Sequence, residues 1–407
     1  MKKEASNIVF IPGGVTAPAG FLAGTAFAAV KYADKRDIAV IYSTVLASAA
    51  GVFTLNKVKA APVRLCMERL AGGKAQAVVV NSGNANACNG EQGMRDALAM
   101  AAEAAGVLGV PAETVLVAST GVIGQKMPMG KVLSGVRAAA GCVSPDGGPL
   151  AAQAIMTTDT YPKETAVQVE IGGKTVTVGG MAKGSGMIHP NMATLLCFIT
   201  TDAAVSPHLL EQALKHAVGR SFNMVTVDGD TSTNDTVLIM ANGLAGNKPV
   251  DEEGRAFDIF RQALGEVCAR LAVAVAKDGE GATKLIEVEA RGAATEEDAR
   301  LAARAVAGSS LVKAAVFGLD ANWGRIICAA GYSGASFDPE KVDIFLGDEQ
   351  VAADGCSLEF SEERASGMLK KDKVKITLDF KAGPFAATAW GCDLSYDYVK
   401  INADYRS

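Results

Sequence analysis

Histidine is scarce in this sequence, which has only His189, His208 and His216 among its 407 residues. Any catalysis must therefore proceed with little imidazole. A surplus of positive charge is also lacking, because the net charge is −5 and the isoelectric point is near 5.5. Without a basic surface field, the chain is a poor candidate for binding nucleic acid or an anionic membrane. This balance favours a small-molecule substrate.

Closely paired cysteines are absent as well. No C-x-x-C motif occurs, which argues against zinc ribbons and redox centres. No secretory signal is evident, so we expect reduced thiols and a cytoplasmic protein. The eight cysteines are scattered along the chain at Cys66, Cys88, Cys142, Cys197, Cys268, Cys328, Cys356 and Cys392.

Two long stretches, residues 8–30 and 38–56, lack charge. The first contains Pro12, Pro18 and several glycines, which a membrane helix would not accommodate. The second is interrupted by serine, threonine and glycine. Both are predicted to be buried strands with turns rather than membrane spans.

Short apolar runs alternate with helical patterns, which predicts a mixed α/β or α+β fold with helices covering sheets. The length allows two or three domains, although composition marks no boundary. Gly172-Gly173 predicts a hairpin, Ser206-Pro207 begins a helix to about residue 220, and Thr295 with Asp298 has capping-box spacing. Predicted strands cover residues 76–80, 115–118, 167–171, 175–178, 284–289, 325–329, 342–345, 374–380 and 385–390, and further helices cover residues 91–105, 252–277 and the segment from Glu296.

A glycine-rich loop within residues 181–193 leads into an apolar stretch that begins at Thr194. A hydroxyl at the start of a buried strand, after a small residue such as Ala193, is how N-terminal-nucleophile enzymes present their nucleophile. The hydroxyl attacks the preceding carbonyl, and hydrolysis of the resulting ester frees an N-terminal threonine. Its α-amine, with a pKa of about 8, can act as base for its own hydroxyl without a histidine. Periodicity alone favours the simpler alternative of an ordinary strand threonine.

Further motifs occur along nearly the whole chain. They are Gly13-Gly-Val-Thr-Ala-Pro18, Asn81-Ser-Gly-Asn-Ala-Asn86, Ser119-Thr-Gly-Val-Ile-Gly124, Ile155-Met-Thr-Thr-Asp-Thr160, Val227-Asp-Gly-Asp-Thr-Ser-Thr-Asn-Asp235, Lys277-Asp-Gly-Glu-Gly-Ala-Thr-Lys284, Asn322-Trp-Gly-Arg325 and the terminal residues 396–407. Together with residues 181–203, these segments resemble motifs of the bifunctional ornithine acetyltransferase/N-acetylglutamate synthase family, and they follow one another in the same order as in that family.

The resemblance implies a layered α-β-β-α sandwich of the N-terminal-nucleophile type. It implies cleavage between Ala193 and Thr194 into an alpha chain, residues 1–193, and a beta chain, residues 194–407, associated as a heterotetramer of two each. Thr194 would carry acetyl from N2-acetylornithine to glutamate by a ping-pong route, giving ornithine and N-acetylglutamate in arginine biosynthesis. No metal or organic cofactor is implied, and acetyl-CoA as a second donor is left open.

The resemblance also assigns site residues. Thr120 and Gly121 match the family's oxyanion-stabilising pair, for which a tight turn with positive φ at Gly121 is the alternative. Lys183 suits a carboxylate and Glu280 an ammonium group, although charges in such loops are ordinarily solvated and chain ends frayed. The substrate contacts implied are Thr157, Lys183, Thr194, Glu280, Asn402 and Ser407.

Other signals are set aside. Gly172-Gly-Lys-Thr175 lacks the upstream glycine of a P-loop, since position 168 is Gln168. No histidine lies in a matching motif to activate Cys88, and His189 is interpreted as a loop histidine. A cation site could be formed by Asp228, Asp230, Asn234 and Asp235. Hydrogen bonds within the loop are the favoured interpretation of these residues, and a structural ion is not excluded.

Two rival functions stay open at this point. One is a self-cleaving aminopeptidase or amidase of the same superfamily, in which water resolves the acyl-enzyme. The other is a non-catalytic binding protein that retains the fold.

Overall fold

The computed structural model describes residues 7–189 and 195–403. These residues form two compact units. The first comprises the described residues of Met1–Gly184, Thr194–Gly219 and Thr231–Leu271, and the second those of Ser185–Ala193, Arg220–Asp230 and Ala272–Ser407. The expected alpha and beta chains therefore both contribute residues to each unit. The predicted cleavage point, Ala193–Thr194, and the predicted substrate contact Ser407 lie outside the described residues.

Strands and helices alternate through the described chain, which confirms the mixed α/β class. The strands are β1 Val9–Ile11, β2 Phe21–Ala26, β3 Ile38–Phe53, β4 Lys74–Asn81, β5 Val115–Ser119, β6 Lys163–Ile171, β7 Lys174–Lys183, β8 Leu196–Thr201, β9 Val225–Thr226, β10 Thr236–Ala241, β11 Leu285–Ala293, β12 Asp343–Leu346, β13 Glu349–Ala353, β14 Cys356–Ser357, β15 Lys373–Asp379 and β16 Phe385–Cys392. The helices are α1 Ala61–Arg69, α2 Gly90–Leu108, α3 Met129–Gly141, α4 Gly148–Ala154, α5 Pro207–Arg220, α6 Arg255–Lys277, α7 Glu296–Gly308, α8 Ser310–Phe317, α9 Trp323–Gly331, α10 Glu362–Leu369 and α11 Tyr396–Ala403.

The first unit contains a mixed sheet in the order β1-β6-β7-β8-β10-β3-β4-β5, with β2 also paired to β3. Strands β4 and β5 are parallel, as are β8 and β10. Helices α2 and α3 bury Met100 and Val136 in one core cluster, while Ile155, just after α4, lies in another with Phe198. Apolar side chains of the sheet are shared between these two clusters, so both of its faces are covered.

The second unit contains a sheet in the order β14-β13-β12-β15-β11-β16-β9. Its core includes Ile286 of β11 and Ile376 of β15, packed with Val306 of α7. Helices α7 and α9 contribute small buried residues to the same cluster, which allows the helices to approach the sheet closely.

Most sequence predictions of local structure are confirmed. Ile171 pairs with Lys174 across a two-residue turn in which Gly172 and Gly173 both have positive φ, as a tight hairpin requires. The helix predicted from Ser206-Pro207 is α5. The Thr295 hydroxyl accepts a hydrogen bond from the Asp298 N–H and caps α7.

One prediction was wrong: residues 325–329 form helix α9, not a strand. A five-residue apolar run cannot by itself distinguish a strand from a buried helix segment. The local signal is Asn322, whose side chain accepts a hydrogen bond from the Arg325 N–H and caps the helix.

The uncharged stretches contain strands, as predicted. Residues 8–30 include β1 and β2, and residues 38–56 include the long strand β3. The pairing of β3 with β4 shifts register between Tyr42 and Ala47, which lets one strand cover a span expected to contain turns. Among the described residues, no helix has the length and apolar character needed to cross a membrane.

Candidate functional site

The predicted site residues that the structure describes fall into two groups. Thr120, Gly121, Thr157 and Lys183 belong to the first unit. Glu280 and Asn402 belong to the second.

The turn after β5 presents two hydrogen-bond donors. Strands β4 and β5 are parallel neighbours, so the segments that follow Asn81 and Ser119 lie at the same sheet edge. The backbone N–H of Thr120 donates to the Asn81 carbonyl at 3.0 Å. Within the described residues, no hydrogen bond engages the Thr120 hydroxyl or the Gly121 N–H. A hydroxyl and a backbone N–H that no described residue engages can together receive a negatively charged oxygen.

Gly121 is required by this turn. Its φ is +132°, and a Cβ atom would lie 2.3 Å from the Gly83 carbonyl carbon and 2.5 Å from the Asn84 nitrogen. The turn with positive φ considered from the sequence is therefore present. This turn is compatible with the oxyanion interpretation, because no hydrogen bond to another described residue engages the Gly121 N–H.

Asn234 ties this turn to the neighbouring asparagine-rich loop. Its side-chain amide donates to the Ala85 carbonyl at 2.6 Å and to the Ser119 carbonyl at 2.8 Å. In the sequence, Asn234 stands out only as a candidate ligand of a cation site or as a residue of a hydrogen-bonded loop. A buried asparagine beside a motif rich in turn residues is a signal for such a bridge, but its partners are distant in the sequence.

Lys183 and Thr157 meet at one buried carboxylate, that of Asp159. The Lys183 Nζ lies 3.8 Å from Asp159 Oδ2, which also accepts a hydrogen bond from the Thr157 N–H at 3.1 Å. Asp159 Oδ1 accepts from Lys163 Nζ at 2.7 Å and from the Gly184 N–H at 2.8 Å. Asp159 belongs to the motif of residues 155–160, but the motif alone predicts no role for it.

Asp159 is held in its charged form. Burial opposes ionisation, but Lys183 and Lys163, with the hydrogen bonds from Lys163 and the Gly184 N–H, lower the pKa of this carboxyl to about 2. The side chains of Asp159 and Lys163 have no exposed surface. The Lys183 side chain is 3% exposed, so it is not the solvated loop charge considered as its alternative.

Glu280 and Asn402 are in direct contact. The Asn402 side-chain amide donates to Glu280 Oε2 at 2.8 Å, and the Glu280 N–H donates to the Ser185 carbonyl at 3.0 Å. Glu280 is buried. A Cβ atom on Gly186 would lie 2.2 Å from Glu280 Oε2, so any larger residue at this position would force the carboxylate to move.

Asp228 anchors the loop that precedes the predicted cleavage point. Its carboxylate accepts hydrogen bonds from the Met187 N–H at 2.6 Å and the Ile188 N–H at 2.9 Å. Met187 has φ +58°, a conformation that needs such support in a non-glycine residue. His189, next along, lies with Nδ1 3.2 Å from Thr226 Oγ1, and burial lowers its pKa.

Asp228 and Asp235, two carboxylates of the candidate cation site, accept hydrogen bonds from backbone N–H groups. Asp228 accepts from the Asp230 N–H at 3.2 Å, an Asx-type turn, and Asp235 accepts from the Leu195 N–H. In residues 7–189 and 195–403, no cluster of three or more His, Cys, Asp or Glu side chains is arranged to hold a metal.

A model of the ArgJ family matches residues 22–407. The chain belongs to the ArgJ family. The arginine biosynthesis bifunctional protein ArgJ of Symbiobacterium thermophilum is 60% identical over 400 residues, which are 98% of this chain and 100% of that protein. The protein of the same name from Caldanaerobacter subterraneus is 55% identical over 401 residues, 98% of this chain and 99% of that one.

A solved structure of the arginine biosynthesis bifunctional protein ArgJ from Bacillus halodurans is also similar. It is 49% identical, with a TM-score of 0.50, over 51% of this chain and 97% of the solved chain. The resemblance inferred from the motifs is thus confirmed, as is the α/β fold class of this family. The expectation of an arginine-biosynthesis enzyme is confirmed at this level, which argues against a non-catalytic ArgJ-like binding protein.

Proposed function

We propose that this ArgJ-family chain transfers an acetyl group from N2-acetylornithine to glutamate, through an acetyl ester on Thr194. The observation that carries the proposal is membership of the family over residues 22–407, with relatives that match almost the entire chain. The Thr120 hydroxyl and the Gly121 N–H support it, because acyl transfer needs donors for a transient oxyanion and neither group is hydrogen-bonded to another residue in the described part of the chain.

The reaction divides into two acyl transfers. The Thr194 hydroxyl, deprotonated by its own α-amine, attacks the acetyl carbonyl, and the amide C–N bond breaks as ornithine leaves with the proton. The α-amine of glutamate then attacks the ester carbonyl, the C–O bond to Thr194 breaks, and N-acetylglutamate forms as the proton lost by the amine passes through the Thr194 α-amine to the Thr194 oxygen. Both tetrahedral intermediates place negative charge on the former acetyl oxygen, for which Thr120 and Gly121 are the proposed donors.

The polar groups suit an amino-acid substrate. Lys183, buried beside Asp159, supplies a cation for a carboxylate, with Thr157 nearby through the same aspartate. Glu280, held by Asn402, supplies an anion for an ammonium group or for the α-amine of Thr194. Ser407 is proposed as a further contact on the resemblance alone.

Self-cleavage between Ala193 and Thr194 is part of the proposal. It would give chains of residues 1–193 and 194–407, which we expect to stay associated as a heterotetramer in the cytoplasm. The Bacillus halodurans relative supports a division of this kind, since 97% of that chain corresponds to 51% of this one.

The first experiment is a denaturing gel with intact-mass measurement, followed by assays with acetylornithine and glutamate. We expect two fragments split at Ala193–Thr194, and acetylglutamate formation that depends on glutamate. Thr194→Ala should remain one chain of 41.8 kDa and be inactive. If acetate is released from acetylornithine as fast as acetylglutamate forms, the protein is instead the rival amidase, in which water resolves the acyl-enzyme. An assay with labelled acetyl-CoA and glutamate, but no acetylornithine, then tests whether acetyl-CoA is a second donor: labelled acetylglutamate forms only if it is.

A further inference from the structure

The contacts of Asp159 set it apart from an ordinary buried aspartate. One carboxylate links the side chain of Lys183, the backbone of Thr157 and the backbone of Gly184, which are separated by up to 27 residues in the chain. Two of these three positions, Thr157 and Lys183, are among the first-unit residues to which the proposed function assigns substrate contacts. These three residues and Lys163, which also contacts Asp159, all belong to the first unit.

Lys163 provides the counter-charge that makes this arrangement stable. Its Nζ makes the short contact with Asp159, at 2.7 Å, and also donates to the Tyr161 carbonyl at 3.1 Å. The longer contact, at 3.8 Å, is with Lys183. A buried carboxylate beside two lysines retains its charge.

The Thr157 backbone is fixed from both sides. Asp159 accepts a hydrogen bond from its N–H, and Lys35 Nζ donates to its carbonyl at 3.0 Å. The position of the Thr157 side chain therefore depends on the same carboxylate that orients Lys183.

We propose that Asp159 is a positioning residue that orients Lys183 and Thr157 to recognise the substrate α-carboxylate. The proposal rests on the proposed function, which assigns those two residues to the substrate. Asp159 acts through them and does not itself touch the substrate, because its oxygens already contact Lys163, Lys183 and two backbone amides.

The test compares binding of L-ornithine and of 1,4-diaminobutane, the same molecule without the carboxylate, to the purified full-length protein. The wild type should bind ornithine more tightly. Asp159→Asn and Lys183→Met should each reduce the ratio of the two dissociation constants at least tenfold. A purely structural defect would weaken both ligands and leave the ratio unchanged.

Asp202→Asn is the matched control. Asp202 is also buried in the first unit and also accepts two backbone hydrogen bonds, from Ala19 at 3.1 Å and Thr177 at 2.7 Å. For Asp202→Asn, the ratio of the dissociation constants of 1,4-diaminobutane and L-ornithine should stay within twofold of the wild-type ratio. If Asp159→Asn does not fold, the double variant Asp159→Asn/Lys163→Met removes the ion pair as a whole, avoids leaving Lys163 uncompensated and should show the same loss.

Retention of the wild-type ratio in either Asp159 variant, with loss in Lys183→Met, would overturn the proposal. A wild type that does not distinguish the two ligands would overturn both the proposal and the Lys183 contact. Acetyl transfer by the same preparation is measured separately, so the proposed reaction can stand or fail independently.

Discussion

The carboxylate of Asp235 accepts a hydrogen bond from the backbone N–H of Leu195 at 3.2 Å. The Thr236 N–H donates in turn to the Leu195 carbonyl at 3.1 Å. Both polar backbone groups of the residue that follows Thr194 are therefore fixed by the start of β10. Asp235 is fully buried, and its Oδ2 has no hydrogen-bond partner among the described residues.

The stability contributed by Asp235 should decrease as pH rises. Burial raises its pKa well above the usual range, although the Leu195 N–H acts in the opposite direction. A carboxyl whose pKa is higher in the folded state stabilises the fold fully below its unfolded pKa, and this contribution is lost as pH rises through the folded value. Asparagine cannot ionise but can still accept from Leu195. The free energy of unfolding of Asp235→Asn, relative to wild type, should therefore increase from about pH 4 upward.

Urea unfolding at several pH values measures this trend. Asp338→Asn is the control, because a hydrogen bond with Lys341 lowers the pKa of that exposed carboxyl and so predicts the opposite sign. Asp235→Ala removes the acceptor for the Leu195 N–H and should cost about 1–3 kcal/mol. A difference between Asp235→Asn and wild type that does not vary with pH would contradict the assigned shift.

Thr120→Val should separate catalysis from stability. The substitution removes the hydroxyl but retains a β-branched side chain and the backbone hydrogen bond to Asn81. Because the hydroxyl makes no hydrogen bond to any residue that the structure describes, the melting temperature should change little. If the hydroxyl stabilises the oxyanion, kcat for acetyl transfer should fall by about 10²–10³-fold.

Thr120→Ser is the matched variant, since it keeps the hydroxyl and removes only a methyl group. It should retain most of kcat. Equal activity of the valine and serine variants would exclude the hydroxyl as an oxyanion donor and leave the Gly121 N–H as the proposed one.

Local signals in the sequence predicted much of the fold. Gly172-Gly173 and Thr295 with Asp298 specify their turn and cap by contacts within four residues, so the pattern sufficed. The strand predicted at residues 325–329 was wrong, because the apolar run alone does not reveal the helix cap that Asn322 provides. Propensity could not show that β3 continues through its register shift, since that depends on pairing with β4.

The site was predictable mainly where the family motifs name residues. Asp159 and Asn234 lie within the family motifs of residues 155–160 and 227–235, yet nothing local distinguishes them from turn residues. Their roles come from partners far along the chain: Asn234 reaches Ala85 and Ser119, and Asp159 contacts Lys183. Assigning such bridges requires the tertiary structure.

Gly121→Ala should destabilise the protein by at least about 2 kcal/mol. The new Cβ would collide with the backbone of Gly83 and Asn84, and φ of +132° is unfavourable for alanine. Gly124→Ala is the control in the same loop, because its φ is +76° but no atom lies within 4 Å of the added Cβ. That variant should lose about 1 kcal/mol. Similar melting temperatures for the two variants would show that the close approach at Gly121 is not rigid.

Gly186→Ala should impair turnover more than stability. The added methyl group would lie 2.2 Å from Glu280 Oε2, and the easier adjustment is for the carboxylate to move away from Asn402. Displacing a substrate-positioning group by about 1 Å can lower kcat/KM by about 10²-fold. Gly367→Ala, in open space on α10, should leave kcat/KM unchanged and raise the melting temperature slightly. Steady-state kinetics and thermal unfolding of both variants test this, and wild-type kcat/KM in Gly186→Ala would mean that Glu280 need not occupy its observed position.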